Sequence, residues 1–227
     1  MNIAIIPARE GSKRIPGKNI KFFCGKPIIS YSIETAKKSK IFDKIIVSTD
    51  SKKIADISKY YGAEIPFLRP KSISDDFSTI SDVMLHATEY LKNEYGETIQ
   101  TVCCIFPTAP LLKNEDLLKG YKIFSDGKWA FVFAATNFSY PIQRSFKKNI
   151  SGGITMFYPE YYNSRSQDLE EGYHDAGLFY FGSTESWINK NNIFSENSSI
   201  ILIPKFRVQD IDNPEDWLIA EKKFISI

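Results

Sequence analysis

The sequence has few cysteines and no CxxC pair. Its 227 residues include only Cys24, Cys103 and Cys104. The odd count and the apolar neighbours of the adjacent pair predict reduced, buried thiols, as in a cytoplasmic protein. The same pattern argues against a disulfide framework and offers no zinc motif.

Long apolar runs and an excess of charge are also missing. No apolar run approaches about 18 residues, so no membrane-spanning segment is expected. The apolar residues 1–8 have no basic region and are followed at once by Arg9, which argues against a signal peptide. The net charge is only +2, with Lys and Arg spread along the chain. A nucleic-acid partner is therefore not expected, and any basic function must lie in a local cluster.

What is present is an ordinary globular composition. Hydrophobic residues make up 43% of the chain and charged residues 25%, which excludes a largely disordered protein. The length suits a single domain over residues 1–227, with one small inserted segment.

Apolar runs and helical periodicity alternate along the chain. Strands are predicted at residues 2–7, 44–49, 99–106, 129–136 and 176–182. Helices are predicted at residues 27–38, 51–61, 79–91, 115–125 and 214–224, with Gly62 ending the second and Thr79 and Asp82 capping the third. This alternation predicts a Rossmann-like α/β fold whose mostly parallel sheet is flanked by helices on both faces. Ligands of such sheets bind at the carboxyl ends of the strands, here the loops after Pro7, Thr49 and Phe106.

Residues 138–172 break this alternation. They have weak periodicity, a Gly152-Gly153 turn, and several Tyr, Arg and Lys residues. We expect a hairpin-like insert that leaves the main sheet. Its dense aromatics favour an interface between subunits, and the alternative is a hairpin that covers its own sheet edge.

The loop after the first strand is basic. Residues 8–19 carry four cations, Arg9, Lys13, Arg14 and Lys18. Gly11 and Gly17 allow a ligand to approach the backbone closely, so the loop is suited to a triphosphate. The alternative is a solvated basic turn.

Two better-known phosphate loops do not fit. Five residues separate Gly11 from Gly17 and Asn19 follows Lys18, which rules out a Walker A loop, and no GxGxxG is present. Glu10 is unexpected in a phosphate loop, and its side chain either points outward or pairs with Lys13 or Arg14.

Two aspartates precede the predicted last helix. Asn213 and Pro214 provide a strong helix start, so Asp210 and Asp212 are not needed for capping. At a spacing of two on an extended segment they point to the same face, with Cα atoms roughly 6.5 Å apart. They could share one magnesium ion. The alternative is that both simply interact favourably with the positive end of the helix.

Five motifs follow one another along the chain in the order and spacing of a known family. PAREGSKRIPGKN, VSTDS, PFLRP, FPTAPL and DIDNPEDW resemble those of the CMP-sialic acid synthetase (acylneuraminate cytidylyltransferase) family over nearly the whole chain. RSQDLEEGYHDAG, CCIFPTAP and PIQRSF are similar to the pseudaminic acid cytidylyltransferase branch. The neuraminic-acid branch usually has Gln-Pro-Thr-Ser-Pro where this chain has Phe106-Pro107-Thr108-Ala109-Pro110.

The resemblance implies a nucleotidyltransferase fold with a dimerisation insert, and roles for individual residues. Positions that match phosphate- and ribose-binding residues are Arg9, Ser12, Lys13, Lys18 and Asn19. Those that match cytosine- or ribose-binding residues are Arg69, Phe77 (through its backbone) and Thr79. Asp210 and Asp212 match the metal-binding aspartates. Sugar-binding candidates are Arg144, Lys147, Arg165, His174 and Asp175, some of them from a second subunit.

The implied reaction is transfer of CMP from CTP to the anomeric hydroxyl of an acidic nine-carbon sugar, with release of pyrophosphate. Arg9, Lys18 and Asp212 are the catalytic candidates, and no general base is evident beyond Asp212 or a metal-bound oxygen. The expected state is a cytoplasmic homodimer.

Several alternatives stay open at this point. The acceptor is pseudaminic acid or else neuraminic, legionaminic or keto-deoxyoctulosonic acid, or the protein binds a nucleotide without catalysis. Arg69 could form a surface salt bridge, and Thr79 could serve only as a cap. His174 and Asp175 could be a structural hydrogen-bonded pair. No role is expected for His86.

Overall fold

The computed structural model describes residues 1–227, apart from the side chain of Glu97. Strands lie at Asn2–Pro7 (β1), Phe22–Phe23 (β2), Lys26–Pro27 (β3), Lys44–Ser48 (β4), Thr101–Ile105 (β5), Phe131–Asn137 (β6), Phe146–Lys148 (β7), Ile154–Met156 (β8), Tyr173–Ser183 (β9) and Ser198–Leu202 (β10). Helices lie at Ile28–Ser39 (α1), Lys52–Tyr60 (α2), Ile80–Tyr95 (α3), Asn114–Ser125 (α4), Thr184–Ile188 (α5) and Pro214–Ile225 (α6).

Six strands form the central sheet in the order β10-β6-β9-β5-β1-β4. β1 pairs in parallel with β4 and β5, and β10 pairs in parallel with β6. Only β9 runs the other way, antiparallel to both β5 and β6. The predicted Rossmann-like α/β architecture with a mostly parallel sheet is confirmed.

Helices cover both faces of the sheet, so its inner strands are apolar on both sides. Successive side chains of a strand point to opposite faces. Ala4 and Ile6 of β1 accordingly pack in one core cluster with α1, α2 and α4, while Ile3 and Ile5 pack in the other with α3 and α5. All four side chains are fully buried. β1 thus holds the loop that follows it at a fixed place on the sheet edge.

The helix ends follow the predicted chemistry. Thr79 and Asp82 form a capping box, with Asp82 N donating to Thr79 Oγ1 at 3.2 Å and Thr79 N donating to Asp82 Oδ2 at 2.9 Å. Gly62 follows α2 with φ of 94°, a left-handed conformation that favours glycine. Asn213 caps α6 by accepting from Glu215 N and Asp216 N.

Three elements were missed from the sequence, and the burial of one cysteine was wrongly predicted. The short helix α5, the edge strand β10 and the β2–β3 hairpin were not predicted. Cys103 and Cys104 are buried as expected, but Cys24 is exposed. It occupies the tight turn between β2 and β3 with a φ of 42°, so the prediction of buried thiols is wrong for this residue.

The segment between β6 and β9 forms a separate hairpin. β7 and β8 pair with each other in a sheet of their own. The two ends of the segment meet, since Phe138 N donates to Gly172 O at 3.1 Å. Among the residues that the structure describes, no helix has the length and apolar character needed to cross a bilayer.

Candidate active site

A cleft of about 250 Å³ opens at the carboxyl ends of β1 and β5. Predicted residues that line it are Arg9, Ser12, Lys13, Lys18, Asn19, Arg69, Thr79 and Asp212. These residues come from four separate segments of the chain. The fold therefore brings most of the predicted nucleotide-binding residues, and one of the two aspartates, to one place.

The basic loop is held in place by apolar packing, by a hydrogen bond to β4 and by a hydrogen bond within the loop. Ile15 is buried against Phe23 and Trp217 in a third apolar cluster, and Ala8 N donates to Ser48 O at 2.9 Å. Inside the loop, the buried Asn19 donates from Nδ2 to the Arg9 carbonyl at 2.9 Å. These contacts fix the loop backbone while its cationic side chains face the cleft.

The same apolar cluster holds the aspartate segment. Ile211 is fully buried in it, so the flanking Asp210 and Asp212 are turned away from the core. Lys18 Nζ donates to the Ile211 carbonyl at 2.6 Å. The basic loop and the aspartate segment are thus packed against a common core and joined directly by Lys18.

Each cation of the basic loop faces an aspartate. Arg9 and Lys13 both pair with Asp76, with 2.8 Å separating Arg9 Nη1 from Asp76 Oδ1. Arg14 donates to Asp212 Oδ1 at 2.7 Å, and Lys18 Nζ lies 3.8 Å from the same oxygen. Burial lowers the pKa of Lys18, while Asp212 and Asp210 oppose that shift. The cations of the basic loop are therefore paired with neighbouring carboxylates and would exchange partners on binding an anion.

The two aspartates have no part in capping α6. Asp216 closes the capping box by accepting from Asp212 N at 2.9 Å and from Asn213 N at 3.1 Å. The Asp210 carboxylate has no ion pair among the residues that the structure describes, and its pKa is raised by partial burial and by the negative charge of Asp212. This arrangement rules out a capping role for either side chain.

Arg69 is buried at the floor of the cleft, so its interpretation as a surface salt-bridge residue is wrong. Its backbone N donates to Thr49 O at 2.8 Å, and its Nε donates to Ser74 Oγ at 3.1 Å. Its Nη2 lies 4.0 Å from Asp50 Oδ1. Burial lowers the pKa of Arg69, with Asp50 acting in the opposite direction. Asp50 also accepts from Glu10 N at 3.0 Å.

Comparison with known proteins agrees with a cleft that binds a nucleotide. A family model described as Cytidylyltransferase matches residues 3–134. A pseudaminic acid cytidylyltransferase from Campylobacter jejuni is 46% identical over 220 residues, covering 97% of this chain and 94% of that protein. The chain belongs to the cytidylyltransferase family. The family predicted from the five motifs is thereby confirmed.

More distant relatives agree with this assignment. A CMP-N,N'-diacetyllegionaminic acid synthase from Legionella pneumophila is 32% identical over 227 residues, covering 97% of this chain and 94% of that protein. A solved structure of CMP:2-keto-3-deoxy-manno-octonic acid synthetase complexed with CTP matches with a TM-score of 0.71 at 14% identity, covering 100% of this chain and 99% of that one. At that identity the match concerns the fold alone.

Thr79 and Phe77, both predicted to bind the base or ribose, are placed differently relative to the cleft of this cytidylyltransferase. Thr79 lines the cleft although it also caps α3. Phe77 does not line it. Its side chain is 90% exposed, and its backbone N already donates to Asp75 Oδ1 at 3.1 Å. The backbone contact expected of Phe77 therefore has a competing partner within its own loop.

The sugar-binding candidates lie outside the cleft of this chain. Arg144 donates to the carbonyls of Tyr162 and Ser164 and so ties the insert to itself. Arg165 and His174 are exposed. His174 Nδ1 lies at hydrogen-bond distance, 2.9 Å, from the backbone carbonyl oxygen of Asp175. The Asp175 carboxylate accepts from Tyr180 Oη and from Gly177 N. The interpretation of His174 and Asp175 as a structural hydrogen-bonded pair is therefore confirmed, through the backbone of Asp175.

Some functional candidates were missed from the sequence. Ser78, Pro107 and Thr108 line the cleft, and Asp76 pairs with two of its cations. Pro107 and Thr108 stand in the quoted FPTAPL motif, which directly follows a buried strand. Asp76 could have been found only by asking which carboxylates the basic loop would meet. Glu10 is exposed and forms no ion pair among the described residues. Of the two alternatives for its side chain, the structure therefore has the outward orientation and not a pair with Lys13 or Arg14.

Proposed function

We propose that this chain transfers CMP from CTP to the anomeric hydroxyl of pseudaminic acid and releases pyrophosphate. The observation that carries the proposal is the convergence of Arg9, Lys13, Lys18 and Asp212 on one cleft, in a chain 46% identical to a pseudaminic acid cytidylyltransferase. The sugar oxygen forms a bond to the α-phosphorus while the bond from that phosphorus to the β-phosphate oxygen breaks. Chemistry of this kind needs mainly positioning and charge neutralisation.

The side chains divide this work between them. Arg9, Lys13 and Lys18 neutralise the triphosphate and the departing pyrophosphate. Arg69 and Thr79 line the same cleft, as does Ser78, and would hold the nucleoside. Lys18 has a second effect, because its contact with the Ile211 carbonyl fixes the distance between the phosphates and the aspartate segment.

We further propose that Asp210 and Asp212 hold a magnesium ion. The donor set fits, since both side chains are hard carboxylates on alternate residues and neither serves the helix cap. Asp210 has no competing ion pair among the described residues. An ion bound there would withdraw charge from the α-phosphate and lower the pKa of the attacking hydroxyl.

We also propose that the active unit is a homodimer in which the insert completes the sugar site. The insert exposes a group of aromatic side chains: Phe138, Tyr140, Phe146, Phe157 and Tyr162. Apolar surface of this density is costly to leave in water and is typical of interfaces. Arg165 is exposed in the same segment, where it could reach the acidic sugar of a second subunit.

The decisive experiment measures pyrophosphate release from CTP with a panel of nonulosonic acids. We expect magnesium-dependent release with pseudaminic acid at a kcat/KM at least tenfold above that with legionaminic, neuraminic or keto-deoxyoctulosonic acid. A higher kcat/KM with another acid would move the assignment to that acid. Absence of release with every acid, from protein that binds CTP, would favour nucleotide binding without catalysis.

A further inference from the structure

Asp76, in the loop before α3, forms ion pairs with two cations of the basic loop. Its carboxylate pairs with Arg9 at 2.8 Å and with Lys13. Arg9 Nη1 also donates to the backbone carbonyl of Asp75 at 2.5 Å. The proposed function assigns phosphate binding to three cations, and Arg9 and Lys13 are two of them. An acidic side chain therefore occupies N–H donors of Arg9 and Lys13 that an anionic ligand would use.

The loop that carries Asp76 is built to present this one carboxylate. The neighbouring carboxylate of Asp75 is used within the loop, where it accepts from Phe77 N, Ser78 N and Ser78 Oγ. The loop then ends in the capping box of α3. Asp76 is left free to face the cations, and Lys13 and Arg9 lower its pKa, so it is an anion at neutral pH.

We propose that Asp76 is an internal counter-ion that competes with the phosphates of CTP and of pyrophosphate for Arg9 and Lys13. This inference rests on the proposed function. A guanidinium or ammonium whose donors face a carboxylate must give up that contact to bind a phosphate. Asp76 therefore weakens anion binding, and its return to Arg9 and Lys13 helps pyrophosphate to leave.

The opposite role is also physically possible and gives the opposite result. If Asp76 stays in place and only orients Arg9 and Lys13 for the ligand, its removal disorders them and weakens binding. The sign of the change in affinity therefore distinguishes competition from positioning.

The test is calorimetric titration of pyrophosphate, and separately of CTP, into wild-type protein and Asp76→Asn. We expect pyrophosphate to bind Asp76→Asn about three- to fivefold more tightly, the upper part of the range for ion pairs near the surface. The gain should shrink as ionic strength rises, because salt screens exposed charges. In the assay, the inhibition constant of pyrophosphate should fall by a similar factor.

The matched control is Glu10→Gln, which removes one exposed negative charge from the same basic loop but breaks no ion pair among the described residues. Its pyrophosphate affinity should stay within twofold of wild type. Equal tightening in both variants would show a general charge effect and overturn the inference, as would unchanged or weaker binding in Asp76→Asn. If wild-type protein binds neither CTP nor pyrophosphate, the proposed function itself fails, a separate outcome.

Discussion

Arg207 donates two hydrogen bonds to the carboxylate of Asp116, at 2.6 and 2.9 Å, across 91 residues of sequence. Only 10% of the Arg207 side chain and 3% of the Asp116 side chain are exposed. Asp116 stands in the first turn of α4, and Arg207 ends the short 3-10 helix that leads into the aspartate segment. The pair therefore fixes the aspartate segment, which contains Asp210 and Asp212, to helix α4.

Asp116→Ala should be strongly destabilising. It leaves the Arg207 charge buried without a partner, which typically costs about 3–5 kcal/mol, and it also removes the carboxylate that accepts from Lys113 N. Urea unfolding followed by tryptophan fluorescence measures the loss. The double variant Asp116→Leu/Arg207→Met, in which no buried charge is left unpaired, should recover most of it. A loss below about 1 kcal/mol for Asp116→Ala would contradict this account.

Asp212→Ala should abolish turnover and leave the fold intact. The side chain takes no part in the α6 cap, and its pair with Arg14 is largely exposed, so the stability lost is about 0–1 kcal/mol. Turnover at saturating magnesium and thermal unfolding should be measured on the same preparation.

Asp216→Ala is the control for that variant, since Asp216 accepts the backbone N–H groups of Asp212 and Asn213. It should lose about 1 kcal/mol of stability, the usual value of a cap. Near-normal turnover of Asp212→Ala, or a large fall in its stability, would argue against the metal role.

Lys18→Ala should raise the KM for CTP or slow turnover by roughly ten- to a hundredfold, because one charge-assisted phosphate contact is worth about 1.5–3 kcal/mol. The KM for the sugar should change little. Lys21→Ala is the control, since Lys21 lies over the Trp217 ring at 4.6 Å and not in the cleft. Unchanged CTP kinetics in Lys18→Ala would mean that the basic loop is only a solvated turn.

Replacing residues 147–162 with a short linker should give a folded monomer that binds CTP and fails to use the sugar. The replaced stretch contains most of β7, all of β8 and several exposed aromatics, and it pairs with no strand of the central sheet. Analytical ultracentrifugation and CTP titration give the two readouts. A monomeric intact protein at micromolar concentration would refute the dimer.

The sequence predicted those parts of the fold whose signals are local. The apolar run of β1, the capping box at Thr79 and the turn at Gly62 each depend on residues within a few positions of one another. The loop of cations and the Asn213 cap belong to the same class. They were enough to predict five of the six strands of the central sheet, five of the six α-helices and the edge on which the cleft lies.

What escaped prediction depends on contacts distant in sequence. Nothing near Asp116 indicates that its partner is Arg207, and nothing near Lys13 indicates Asp76. The burial of Arg69 follows from its packing at the cleft floor, which a hydrophilic residue in a loop does not reveal. The direction of β9 was missed for the same reason, because a single buried strand looks alike in either orientation.

The way the insert is attached has a consequence for its length. Asn137 and Tyr173 face each other in the ladder of β6 and β9, and the family match ends at residue 134, just before the insert begins. Because the pairing of β6 with β9 fixes both ends of the insert, doubling the length of the insert costs only about 0.6 kcal/mol of loop-closure entropy. The length of this segment can thus change at little cost to the stability of the sheet.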